Sequence, residues 1–231
     1  MRILATVLSA LMIISFVNAV GKDLNKKPRR PWNVWMMSAP PRPDPGCPAN
    51  PLQEDGTLPI NRTLITASMF HVSRERPDQT FISNGWAAVT PRDKCTIFVF
   101  EIDARKAFGK TCNLVFDLPK EKYAPGLYRS FGPGQFTFQY FSPFAPPPGP
   151  NVTWNTLPPQ AATPPAVIKE LFPGTSKVIE SAPCYFPLGI VDKVTRSGML
   201  CSPHSYFQFK QGVTKCPLGL YTIITDPFKN N

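Results

Sequence analysis

Glu101 and Asp103 stand two residues apart in Cys95–Asp103, a run rich in β-branched and aromatic residues. A strand there puts both carboxylates on one face. Paired carboxylates, with Asp93 and Asp117 as further candidates, are what glycoside hydrolysis requires: one protonates the leaving oxygen while the other serves as base or nucleophile. The rest of a hydrolytic apparatus is not signalled. His71 and His204 are the only imidazoles, and the serines include no Gly-x-Ser-x-Gly elbow. His204 follows Cys201-Ser-Pro and precedes Ser205-Tyr-Phe, the pattern of a turn entering a strand. No Gly-rich phosphate loop or calcium motif occurs. The expectation is therefore no catalytic residue, no metal and no cofactor.

Binding chemistry is easier to read. Trp32, Trp35, Trp86 and Trp154 are spread over loops and hairpins. An exposed indole on a β-sheet protein presents a flat apolar face with a polar edge, suited to stacking on sugar rings. Trp86 and Trp154 are the candidate ligand-facing side chains. Core packing is the competing expectation for Trp86, because tryptophan is usually well buried.

The elements that must carry these residues read as strands. Gly134–Phe141 alternates with period two, placing Phe136, Phe138 and Tyr140 on one side and Gln135, Thr137 and Gln139 on the other. Thr111–Leu118 repeats the pattern, with Cys112, Leu114, Phe116 and Leu118 on one side and Asn113 and Asp117 opposite. Asn84-Gly85, flanked by apolar residues, predicts a hairpin turn. Leu64–His71, Ser205–Lys210 and Leu218–Thr225 bring the expectation to about eight short strands. Ala166–Phe172, between Pro165 and Pro173, predicts one or two helical turns. The fold class is all-β: an antiparallel β-sandwich with proline-rich loops and disulfides.

Proline punctuates this pattern. Pro28–Pro51 holds eight and Pro143–Pro165 nine, so neither segment can be an interior helix or a central strand. The chain thus divides into a signal peptide at 1–19, a basic, proline-rich arm at 20–62, and a β-sandwich domain at 63–231 with a proline-rich insertion at 143–165. The signal is read from Met1-Arg2, an apolar run from Ile3 to Val17, and the small residue Ala19. No later stretch approaches the roughly 20 apolar residues of a membrane span, so no transmembrane anchor is expected. The predicted address is secreted, extracellular or cell wall.

That compartment governs the remaining residues. Cys47, Cys95, Cys112, Cys184, Cys201 and Cys216 are expected to form three disulfides of undetermined pairing. A zinc site would want closely spaced cysteine pairs, which are absent. Asn61 and Asn151 open N-glycosylation sequons. The formal charge is +10, and Val20–Arg30 alone carries Lys22, Lys26, Lys27, Arg29 and Arg30 against Asp23. Such a charge run reads first as a solvated, disordered arm and alternatively as a contact for anionic glycans or phospholipid headgroups; nucleic acid is the wrong partner outside the cell.

Three segments, Gly109–Pro119, Tyr128–Phe138 and Cys216–Tyr221, in that order and spacing, resemble the But-type C-terminal domain of fungal secreted and surface proteins. That family is named for a protein that binds a ubiquitin-like-activating enzyme (Uba). The resemblance covers about Thr63 to Thr225. It implies an all-β sandwich and marks Cys112, Cys184 and Cys216 as recurrent cysteines. The family's name implies an intracellular partner in ubiquitin-like conjugation, which a secretory signal would keep out of reach. The expected function is a secreted, non-enzymatic glycoprotein, associated with the cell wall or surface and binding cell-wall polysaccharide or an extracellular protein. The alternative is a secreted polysaccharide-acting hydrolase using the Glu101–Asp103 strand.

Overall fold

The computed structural model describes residues 47–50, 52, 63–65, 68–184, 186, 192–213 and 216–227. All lie in the compact unit Pro40–Asn231. In chain order the strands are β1 (Thr63–Ile65), β2 (Ser68–Ser73), β3 (Trp86–Val89), β4 (Lys94–Asp103) and β5 (Thr111–Leu118). Then come β6 (Tyr128–Phe131), β7 (Phe136–Tyr140), β8 (Ala166–Ile168) and β9 (Thr175–Pro183). The chain closes with β10 (Lys193–Cys201), β11 (Tyr206–Lys210), β12 (Gly212–Val213) and β13 (Pro217–Thr225). Helix is confined to α1 (Ala104–Ala107) and two single 3-10 turns among the described residues.

Three antiparallel sheets result. One runs β1-β13-β5-β9 with β12 added on β13, the second β2-β4-β10-β7-β8, the third β3-β11-β6. The all-β sandwich expected from alternation is what forms, and phenylalanine holds its layers together. Phe207 and Phe209 of β11 stand 4.8 Å apart, and Phe209 meets Phe116 of β5 at 5.1 Å and Phe98 of β4 at 6.2 Å. One strand of the small sheet is thereby stacked into the core shared by the two large ones.

Several local expectations give way to tertiary pairing. Leu64–His71 is two strands, because β1 joins β13 while β2 joins β4. Asn84-Gly85 makes no hairpin: Gly85 takes φ 77° in a bend leading into β3, and β3 pairs with the distant β11. Ala166–Ile168 is a strand on β7, not a helical turn. The backbone groups of Ala166–Ile168 are taken up by the ladder to Phe136–Phe138, and tertiary pairing overrides the local helical preference.

β5 matches the expected span, but its polar side is buried as well. Asn113 is satisfied there: its amide donates to the Ile223 carbonyl at 3.1 Å and its carbonyl accepts from the Ser181 hydroxyl at 2.6 Å. Asp117, 2% exposed, has no hydrogen bond of normal geometry to either oxygen. Burial raises its carboxyl to about 6, with the neighbouring Ser176 hydroxyl pulling the other way.

The cysteines form three disulfides, Cys47–Cys216, Cys95–Cys201 and Cys112–Cys184. None is left for a zinc site. Cys95–Cys201 ties β4 to its neighbour β10, one step beyond the Thr96–Leu200 pair.

Gly198 shows how close the central packing is. A Cβ at this position would lie 2.4 Å from Phe138 Cζ and 3.0 Å from the Gln139 carbonyl. Gly198→Ala is expected to cost about 1–3 kcal/mol through overpacking, measured by urea unfolding. A variant as stable as the parent would show that the Phe138 ring can swing aside.

Candidate functional site

The third sheet has one face in the core and one face outward. Ala87, Val89, Phe207 and Phe209 are wholly buried on the inner side. Alternation therefore sends Trp86, Ala88, Tyr206, Gln208 and Lys210 to the outer side. Register assembles them across strands: Lys210 lies opposite Trp86, Gln208 lies between Ala88 and Arg129, and Tyr206 lies opposite Phe131. Directly opposed residues share a face. The outer face therefore carries three aromatic side chains, one amide and two cations.

Its geometry is that of a flat platform. Phe131 is 68% exposed, a large apolar surface left in water, and its ring sits 5.8 Å from that of Tyr206. The Tyr206 hydroxyl donates to Gln208 Oε1 at 3.0 Å, which fixes both polar groups on the sheet plane. Trp86 is half-buried at the start of β3, its carbonyl accepting from the Ser83 hydroxyl at 3.1 Å. Beneath it lies His71, 7% exposed, with Nδ1 3.1 Å from Thr96 Oγ1. Thr96 Oγ1 accepts from the Ala88 amide and donates to the Ala88 carbonyl, each at 2.8 Å. Burial first, then the Lys94 charge, lower the His71 pKa to about 4, although a hydrogen bond to the Trp86 backbone works the other way. His71 is thus a neutral brace that locks β3 to β4.

Trp154 stands elsewhere. The insertion folds over the outer side of the second sheet, where Val152, Trp154 and Leu157 pack with Val72, Ile97 and Met199. The Arg74 guanidinium lies 4.8 Å above the Trp154 ring. The proline-rich stretch is therefore a cover with buried residues as well as an exposed loop. Asn151 is exposed on it, and Thr153 of the same sequon is buried, bonded to Thr156. Asn61 lies outside the described residues.

Glu101 and Asp103 share one end of β4, both near Lys193, whereas Asp93 and Asp117 lie elsewhere. Glu101 pairs with Lys193 at 3.0 Å, and Asp103 caps α1 by accepting from the Arg105 amide at 3.0 Å. Asp93 accepts from the Ser73 hydroxyl and from the Glu75 amide at 3.1 Å. Burial works to raise its pKa, but these bonds and Lys94 hold it below the ordinary value. Asp117 is in the core. His204 is exposed in the bend before β11 and belongs to no cluster with these acids.

Of the platform, sequence reasoning found Trp86 alone. Phe131 lies within the Tyr128–Phe138 motif and Tyr206 within the Ser205–Lys210 strand, and no local pattern marks either as ligand-facing. The signal that could have joined them is alternation in Tyr206-Phe-Gln-Phe-Lys210, whose buried phenylalanines leave Tyr206, Gln208 and Lys210 as a coherent outward set.

No curated protein matches the chain. The family model described as the Ubiquitin 3 binding protein But2 C-terminal domain matches residues 67–214. Gly109–Pro119 and Tyr128–Phe138 fall inside that span, whereas Cys216–Tyr221 falls just beyond it. The family's name states what a member binds, not a reaction it catalyses. With that model spanning more than half of its length, the chain belongs to the But2 C-terminal domain family.

Proposed function

We propose that this protein is a secreted glycoprotein of the cell wall or surface that binds polysaccharide without turning it over, using the outer face of β3-β11-β6. The observation that carries the reading is that one sheet face bears Trp86 at one end and Phe131 and Tyr206 at the other, with Gln208 and Arg129 between them. A plane of aromatic rings offers apolar surface to the flat side of a sugar ring, and the adjoining amide and guanidinium supply hydrogen bonds to its hydroxyls. Three disulfides support an oxidising address, as does the apolar leader at 1–19. No helix among the described residues is long and apolar enough to cross a membrane. Exposed Asn151 is the proposed glycan site.

The test is retention of the purified secreted protein on insoluble wall polysaccharides. Retention should resist salt, and Phe131→Ala and Trp86→Ala should each weaken it about tenfold, the loss of one well-placed aromatic anchor. Phe131→Ala is the cleaner variant, since that ring contributes little burial. Retention unchanged in both variants rejects the platform. Retention abolished by modest salt would locate binding in the basic arm instead. Released sugar would point to the hydrolase, and a soluble protein competing for the same face would point to a protein ligand of the kind the family's name suggests.

A further inference from the structure

A cavity of about 260 Å³ opens where the two large sheets part, beneath the insertion at 143–165. Phe100 and Ile102 of β4 and Leu114 of β5 form an apolar wall, and Ala161 lies on the side formed by the insertion. Among the described residues two charged side chains line it, Glu180 of β9 and Arg196 of β10. Both charges act on the Tyr140 hydroxyl, which is hydrogen-bonded to Glu180. Burial, then the Glu180 charge, push the tyrosine pKa up, so Tyr140 stays neutral and donates.

Three properties select an occupant. The volume is at or just below the small end of ligand pockets, roughly 300 Å³ upwards, which suits one ring or a short chain and not an oligosaccharide. One carboxylate and one guanidinium sum to zero, so an ion would lose its hydration and face a like charge. Glu180 can only accept hydrogen bonds and Arg196 can only donate them, so a head group must do both. We propose that this cavity binds a small uncharged alcohol or phenol, its apolar body against Phe100, Ile102 and Leu114 and its hydroxyl between Glu180 and Arg196. The site is independent of the aromatic platform and uses none of its residues.

The test is ligand-observed NMR titration of the full secreted protein with three compounds of one shape. Para-ethylphenol is neutral and has a donor. Para-ethylanisole has none, and para-ethylbenzoate is charged. Saturable binding of the phenol, about tenfold or more tighter than either analogue, is expected, because the anisole offers Glu180 no hydrogen and the benzoate meets its like charge. Glu180→Gln should narrow that difference. Ala161→Phe should fill the cavity and abolish phenol binding while polysaccharide retention persists. No saturable phenol binding by the parent protein overturns the proposal. So does equal affinity for all three compounds, or phenol binding undiminished in Ala161→Phe; the first two need no variant to fold.

Discussion

Asp117→Asn is expected to stabilise the protein by about 3 kcal/mol above pH 7 and by almost nothing at pH 4. The folded carboxyl titrates at about 6 against an ordinary value of 3.8, because it is buried without a good hydrogen bond. Between those two values the folded chain holds a proton that the unfolded chain has released, so stability falls as pH rises through this window. A shift of about two units corresponds to about 3 kcal/mol at 1.36 kcal/mol per unit. Asparagine never ionises, so it escapes the penalty. His71 acts in the opposite sense. Its folded pKa is lowered from 6.5 to about 4, so the unfolded chain binds the extra proton and stability is lost as pH falls through that range. The two effects are of similar size and nearly cancel, and the parent protein should look almost flat between pH 4 and 6.5. Asp117→Asn unmasks the histidine, and the variant should weaken on acidification by about 3 kcal/mol. Urea midpoints at pH 4, 5.5 and 7.5 decide it. An equal stability gain at all three would mean that Asp117 is destabilising for reasons other than its charge.

The contrast between Asp117 and the expectation for it shows where the sequence was readable. Period two in Thr111–Leu118 located β5 to the residue, since apolar side chains every second position have one arrangement that buries them. The same alternation puts Asp117 opposite the apolar side chains and carries no sign that this opposite side is buried too. β7, β11 and β13 were legible for the reason β5 was. β9 was not: Thr175–Pro183 is a polar edge strand, half-exposed along most of its length, so no apolar face marks it. β10 carries no clear pattern, because Lys193, Thr195 and Arg196 are polar and Gly198 interrupts the run at the position where Phe138 needs room. The platform lay further out of reach. Its three aromatic residues come from strands whose pairing is set by distant register, and no local signal joins Trp86 to Phe131. The cavity has the same character, since Glu180 of β9 and Arg196 of β10 line it from two different sheets.

Removing the Cys47–Cys216 disulfide should cost about 5 kcal/mol, the largest effect expected of any bridge here. It closes a loop across a sequence separation of 169, against 106 for Cys95–Cys201 and 72 for Cys112–Cys184. In the chain-entropy account the stabilisation grows with the logarithm of that length, giving this bridge about 0.8 kcal/mol more than Cys112–Cys184. The position matters as much as the length. Cys216 is fully buried at the start of β13, the strand that pairs with both β1 and β5, so the bridge pins the segment around Cys47 to the middle of the first sheet. Cys47→Ser with Cys216→Ala is the appropriate pair, because a serine at the buried end would add an unmatched hydroxyl. Domains of this kind are stable by about 5–15 kcal/mol, so a loss of this size leaves little margin, and secreted yield should fall with the urea midpoint. A loss below about 1 kcal/mol would mean that the unfolded chain is already compact enough for the loop to cost little entropy.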